Sequence, residues 1–178
     1  AVPARDLWEF PLGAVLEPAA LANEPGGGLW NPAASRLGNK EKWRVGIASL
    51  TSAADQSVDG QMLSANVRRA DGATFGFSVA RTAVADLVRT DSDPQAIGTV
   101  PYSSLLLSLS AARDVLPHVA LGVAVRYREG RADRQVDHAY AADLGLVVHS
   151  LPLRDARVAV SSFLWRPGRE IEDRPAMV

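Results

Sequence analysis

The sequence predicts an all-β protein, an antiparallel up-and-down meander of about seven or eight strands, barrel-like or an open half-barrel, behind an irregular N-terminal arm or plug. Three observations predict it. From Trp43 onward, apolar residues recur at every second position in runs of strand length, the period of a strand with two unlike faces. Turn residues separate the runs, and the connections alternate between short and long. No segment carries a long amphipathic helical period.

Residues 1–40 form the arm and residues 41–178 the meander. The arm holds Pro3, Pro11, Pro18, Pro25 and Pro32, together with the triple glycine Gly26 to Gly28. Prolines at that spacing and no sustained period leave room for short helical pieces only, such as Pro18 to Ala22, with the glycines as a flexible link.

In the meander, Val119-Ala120-Leu121-Gly122-Val123-Ala124-Val125-Arg126-Tyr127 alternates large apolar residues with small or charged ones. Successive side chains of a strand point to opposite faces, so Val119, Leu121, Val123 and Val125 share one greasy side. Leu144, Leu146 and Val148 repeat the pattern, with Asp143 and Gly145 opposite. Equivalent faces are Trp43, Val45 and Ile47; Leu63, Ala65 and Val67; Phe75, Phe77 and Val79; Leu105, Leu107 and Leu109; and Val158, Val160 and Leu164. The small face recurs as Gly46 and Ala48, Ser64 and Asn66, Gly76 and Ser78, Ser108 and Ser110.

Asp71-Gly72 is the dipeptide of a two-residue type I′ hairpin turn. Short links also fit Arg113 to Pro117, with Pro117 opening the next strand, and Ser150 to Asp155. Thr51 to Val58, Val84 to Val100 and Arg128 to Asp137 read as long, polar loops. Successive turns of a meander fall at opposite ends, so the long loops share one rim and the short turns the other, an asymmetry of transmembrane β-barrels. Tyr102, Tyr127, Tyr140 and Trp165 fall at the long-loop ends of strands, where interfacial aromatics belong; only Tyr127 and Tyr140 have the parity of the apolar face.

Composition narrows the function. The chain has 178 residues, 47% of them hydrophobic, and 19 basic against 20 acidic side chains. Near neutrality excludes whole-chain attraction to nucleic acid or to anionic lipid, and leaves room for local patches only. The absence of cysteine excludes disulfides, thiol nucleophiles and thiolate metal sites. No run reaches the roughly 20 apolar residues of a spanning helix. Ala1-Val2-Pro3-Ala4 leads straight into Arg5 and Asp6, a start that suits a mature chain whose signal peptide has been removed.

Leu29-Trp30-Asn31-Pro32-Ala33-Ala34, preceded by the Ala- and Gly-rich stretch and followed by the meander, resembles the N-terminal part of PorV-like outer-membrane proteins, distant relatives of the FadL fatty-acid channels. Leu121 to Tyr127 followed by Tyr140-Ala141-Ala142-Asp143-Leu144-Gly145-Leu146 resembles that family's hairpin ending in an Asp-Leu-Gly strand. The resemblance implies a bacterial envelope β-barrel at the outer membrane or its periplasmic side, with an N-terminal hatch, no enzymatic activity, and roles in export, attachment or passage of apolar compounds. Chemistry alone gives Asn31 a plainer role, capping a short helix with Pro32 in its first turn. The chain departs from the family in its strand count, seven where barrels need an even number, and in the absence of a terminal aromatic.

Catalytic and metal motifs are missing, and no cofactor is expected: there is no Gly-x-Ser-x-Gly, His-Glu-x-x-His, phosphate loop or calcium loop. His118, His138 and His149 sit on different connections and read as surface or strand-end histidines. Asp91, Asp93, Glu170, Glu172 and Asp173 read as solvated acids, and Arg126, Arg128, Arg131 and Arg134 as a hairpin neutralised by Glu129, Asp133 and Asp137. Asp143, inside a strand on the small face, needs a partner, and Arg126 of the neighbouring strand is in place to form an inner ion pair.

The expectation is therefore a non-enzymatic envelope protein, a structural, scaffold or attachment subunit whose apolar sheet face meets membrane lipid or partner subunits of a larger complex. The alternatives are an outer-membrane conduit for hydrophobic small molecules, plugged around Asn31 to Ala34, and a soluble β-sandwich with an unrecognised ligand site. An open sheet of this composition leaves an edge and an apolar face that a partner, the arm or a second sheet is expected to cover.

Overall fold

The computed structural model describes residues 25–36, 41–52, 57–85, 87–90, 95–150, 156–165 and 176–177. Among these residues ten strands follow two 3-10 turns, Pro25–Leu29 and Pro32–Arg36: β1 Trp43–Thr51, β2 Val58–Arg68, β3 Thr74–Val84, β4 Val88–Thr90, β5 Ala96–Thr99, β6 Tyr102–Leu116, β7 Val119–Ala132, β8 Gln135–Val148, β9 Val158–Trp165 and β10 Ala176–Met177. The main sheet has the order β1-β2-β3-β6-β7-β8-β9-β10, every pair antiparallel. Seven strands form the meander and the two-residue β10 is an eighth. Among the described residues β1 and β10 do not pair, so the sheet is open rather than a closed barrel.

Each strand forms where period two holds, and its small-residue side is the buried one. Ser64, Asn66, Thr74, Ser78, Thr82, Ser104, Ser108, Ala120, Ala124 and Ala159 are all buried. The two 3-10 turns lie against this face and supply the only covering layer among the described residues. Among the described residues the core is thus thin and split. Leu29 packs with Met62, Ala80 and Leu106, and Ala33 and Ala34 pack with Ala120, Val147 and Ala159.

Several connections differ from the sequence reading. The β2–β3 turn is not type I′. Gly72 N–H donates to Arg69 C=O at 3.1 Å and Arg69 N–H to Ala73 C=O at 2.8 Å, and only Gly72, with φ 85°, is left-handed. This is the three-residue loop of a turn followed by a glycine bulge, and the Asp71 carboxylate accepts the Ala73 N–H at 3.2 Å. The stretch 84–100 is not a plain loop but carries the β4–β5 ribbon. Residues 128–137 are not a loop at all: β7 and β8 stay paired to Ala132 and Gln135, around a two-residue turn with Asp133 at φ 54°. Polar side chains there report solvent on both faces, whereas the backbone ladder is indifferent to them. Likewise β6 continues through Arg113 to Leu116, and Pro117 sits in the two-residue turn with His118, φ 71°, rather than opening β7. Gly26 to Gly28 are no flexible link but a buried 3-10 turn. The piece Pro18 to Ala22, the links 53–56 and 151–155, Asp91, Asp93, Glu170, Glu172 and Asp173 lie outside the described residues.

Gly72→Val is expected to cost about 1–2 kcal/mol, because a β-branched residue is forced into the left-handed region. A lowered unfolding midpoint, with a smaller drop for Asp71→Ala, checks this.

Candidate functional site

The inner face is built as a seat for the arm. Gly122 on β7 and Gly145 on β8 are direct partners in the ladder, and together they open a backbone-deep niche. A Cβ on Gly122 would overlap the Ala33 nitrogen and lie 2.7 Å from its Cα; one on Gly145 would overlap the Asn31 amide oxygen and lie 2.9 Å from Pro32 Cδ. Glycine inside a strand marks such a close approach. Asn31, fully buried, accepts the Ala33 N–H at 2.9 Å and donates from Nδ2 to the Leu146 carbonyl at 3.3 Å. It is therefore both the cap of the Pro32–Arg36 turn, as its residue type predicted, and the fastener of that turn to β8. Ser35 donates to the Pro32 carbonyl at 2.8 Å.

Inner-face side chains then hold carbonyls of the arm. Asn66 donates to Pro25 at 3.3 Å, Ser161 to Trp30 at 3.0 Å, and Arg126 Nη2 to Leu29. Arg126 is also ion-paired with Asp143, and both side chains are wholly buried, which bears out the inner pair read from the sequence. Asp143 stands opposite Ala124, two residues from Arg126, so the pair closes on a diagonal of the ladder, within reach of long side chains. At the far end of the arm Arg36 pairs with Asp114 at 2.5 Å, and His149 Nε2 approaches the same carboxylate at 3.6 Å.

The outer face has opposite chemistry. Register aligns its residues in continuous rows across β1, β2, β3, β6, β7 and β8. One row is Trp43, Val67, Phe75, Ala111, Val123 and Leu144; the next is Val45, Ala65, Phe77, Leu109, Val125 and Ala142; a third is Ile47, Leu63, Val79, Leu107, Tyr127 and Tyr140. The fourth turns polar: Ser49, Gln61, Arg81, Leu105, Glu129 and His138. Leu121, Leu146, Val119 and Val148 extend the apolar band on β7 and β8 towards the short-turn rim. Ile47 is 83% exposed, Trp43 67%, Tyr140 65% and Val125 60%. No described residue covers this face; the described part of the arm, residues 25–36, lies on the other side.

Tyr127 and Tyr140 meet across the strands at 5.4 Å between ring centroids, and His138 stacks on Tyr127 at 6.0 Å. Tyr127 donates to Glu129 at 2.9 Å. This aromatic group lies on the outer face where apolar rows give way to polar ones. Tyr102 is half-buried, with the inner parity of Ser104 and Leu106, and does not join it. Trp165 pairs through its backbone with Ala142 beyond a bulge in β9, and its side chain, like that of Leu164, lies outside the described residues. His118 and His149 meet edge to face at 6.0 Å at the short-turn rim, away from His138, and the described residues hold no group of three metal-ligating side chains.

Of the residues singled out in the sequence, Trp30, Asn31, Pro32 and Ala33 lie in the seat, Val119, Leu121, Val123, Val125, Leu144 and Leu146 share the outer face, and Arg126 and Asp143 are in contact. Sequence reasoning missed the Gly122–Gly145 niche, although paired glycines inside two strands were a readable sign. The recognition of arm carbonyls had no such sign, because it depends on backbone positions. Comparison with protein-family models, curated proteins and solved structures gives no match to this chain.

Gly145→Val is expected to unseat the arm, seen as faster tryptic cleavage after Arg36 with the strands still resistant. Arg126→Met, which strands a buried carboxylate, is expected to cost about 3–5 kcal/mol, most of it recovered in Arg126→Met/Asp143→Leu. Denaturant unfolding of the two variants checks this.

Proposed function

We propose that the chain is a non-enzymatic protein of the bacterial cell envelope, a structural, scaffold or attachment subunit that works through its apolar outer sheet face, with outer-membrane lipid against that face. One observation carries the reading: the sheet is inverted, with its large apolar side chains outward and exposed and its small, polar and charged ones inward under the arm. A soluble sandwich places its apolar rows between two sheets. Here the only covering layer among the described residues sits on the polar side.

The pattern of apolar-out, polar-in strands with aromatics at the boundary is that of membrane barrels. From Val119 to Tyr127 the band runs about 26 Å along β7 at ~3.3 Å per residue. At the tilt usual for such barrels this is roughly 20 Å of height, comparable to the apolar belt of an outer-membrane strand. Exposed patches of this extent mark interaction surfaces. The PorV-like resemblance agrees with the seat, since Trp30, Asn31, Pro32 and Ala33 are the residues seated in it. Open edges do not persist in hydrocarbon, so the reading requires that the edges of β1 and β10 be closed, by further strands of the same protein or by partner subunits.

The conduit for apolar compounds is less well supported. The described inner face presents Ser64, Thr74, Thr82 and Ser104 hydroxyls and the Arg126–Asp143 pair, a lining that suits polar contents.

The wild-type protein is expected to require detergent for extraction, to float with vesicles and to migrate on gels in a heat-dependent way. Leu121→Arg/Val123→Arg is expected to abolish flotation, since each arginine at the middle of a lipid-facing barrel surface costs about 2–4 kcal/mol. A monodisperse detergent-free monomer, or flotation unchanged in the double variant, overturns the reading.

A further inference from the structure

At the β1–β2–β3 corner of the outer face the sheet forms a pocket of about 460 Å³. Its floor is Ile47, Leu63 and Val79, which share one row of the ladder, and its upper wall is Ser49, Gln61 and Arg81, which share the next. The two rows are two residues apart along each strand, about 7 Å at ~3.3 Å per residue. That is the scale on which a lipid passes from its acyl chain to its phosphate.

We propose that this pocket binds a single anionic phospholipid, one whose phosphate charge is not offset by a cation in its headgroup, its acyl chain on Ile47, Leu63 and Val79 and its phosphate on the Arg81 guanidinium, with Gln61 and Ser49 donating to the remaining oxygens. The inference rests on the membrane reading of the outer face and adds a site to it. Charge selects this corner. Along the same polar row the side chain on β6 is Leu105 and that on β7 is Glu129, so the row is cationic only at β3. Arg89 and Arg126 each have an acidic partner, whereas Arg81 has no ion pair among the described residues. The nearest outward acid in the ladder, Asp59, stands opposite Ala83 and so on the diagonal from Arg81, but no ion pair joins the two side chains. Guanidinium, with its planar fork of donors, matches phosphate oxygens in pairs. A single exposed arginine holds free phosphate poorly in water, and the apolar floor supplies what phosphate alone lacks. This favours a lipid over the inorganic ion.

The test is spin-label measurement of lipid association with the full chain reconstituted in phosphatidylcholine vesicles, using labelled phosphatidylglycerol and labelled phosphatidylcholine as probes. The wild type is expected to prefer phosphatidylglycerol about fivefold, the ratio equivalent to ~1 kcal/mol for one arginine at a membrane surface. Arg81→Gln is expected to bring the ratio near one. Arg131→Gln, which removes an exposed outward charge two residues beyond Glu129 on β7, is expected to leave it unchanged. A preference that survives Arg81→Gln, or that falls equally in both variants, overturns the site and leaves the membrane reading standing. Loss of the preference on adding inorganic phosphate equimolar with the lipid reassigns the pocket to the free ion and overturns the lipid proposal. Failure of the wild-type chain to enter vesicles overturns the membrane reading and the site with it.

Discussion

Alternate side chains of a strand point to opposite sides, so a sheet whose apolar residues keep one parity across seven strands must be greasy on one whole face and small on the other. Which face is buried is then decided by what packs on it. Here residues 25–36 of the arm pack on the small face, because only there can their backbone come close. Everything else about the molecule follows from that choice, from the carbonyl contacts of the arm to the exposed apolar rows.

The Arg126–Asp143 pair is where the choice becomes binding. A buried ion pair adds little net stability over apolar residues of the same size, but each partner is costly to leave alone. Arg126 also reaches the Leu29 carbonyl, so the pair is coupled to the position of the arm. With Asn66 on β2 and Ser161 on β9 holding Pro25 and Trp30, polar groups from both halves of the sheet meet on one stretch of chain. The arm is thereby fitted to a register, while alanine and glycine partners leave room rather than grip.

The described part of the long-loop rim carries more regular strand structure than its composition suggests. The β7–β8 hairpin stands out past the apolar rows; the β4–β5 ribbon is tied to its tip by Arg89 to Asp133, and the link from β5 to β6 by the Asp133 N–H to the Pro101 carbonyl at 2.8 Å. The aromatic group of Tyr127, His138 and Tyr140 sits at its base. Polar extension, aromatic boundary and apolar band therefore succeed one another along the same two strands.

Much of this was legible in the residues. Period two located seven strands and assigned nearly every side chain to its face, because strand parity is a local property that no packing alters without a bulge. The Arg126–Asp143 pairing was legible for the same reason, since neighbouring strands leave a lone inward acid few partners. The turns were read less well: Asp71-Gly72 indicates a turn but not the turn type, and the charged run 128–137 signals solvent, which a paired ribbon meets as readily as a loop.

By itself, then, the sequence determined the strands, their two faces and the existence of an arm, all of which follow from local backbone geometry and side-chain size. Only the tertiary structure decided which face the arm occupies, how Gly122 and Gly145 align into one niche, and that the outer rows break at Arg81, because these depend on the register between strands distant in the chain. Register is a relation between two segments, and no single run of residues contains it.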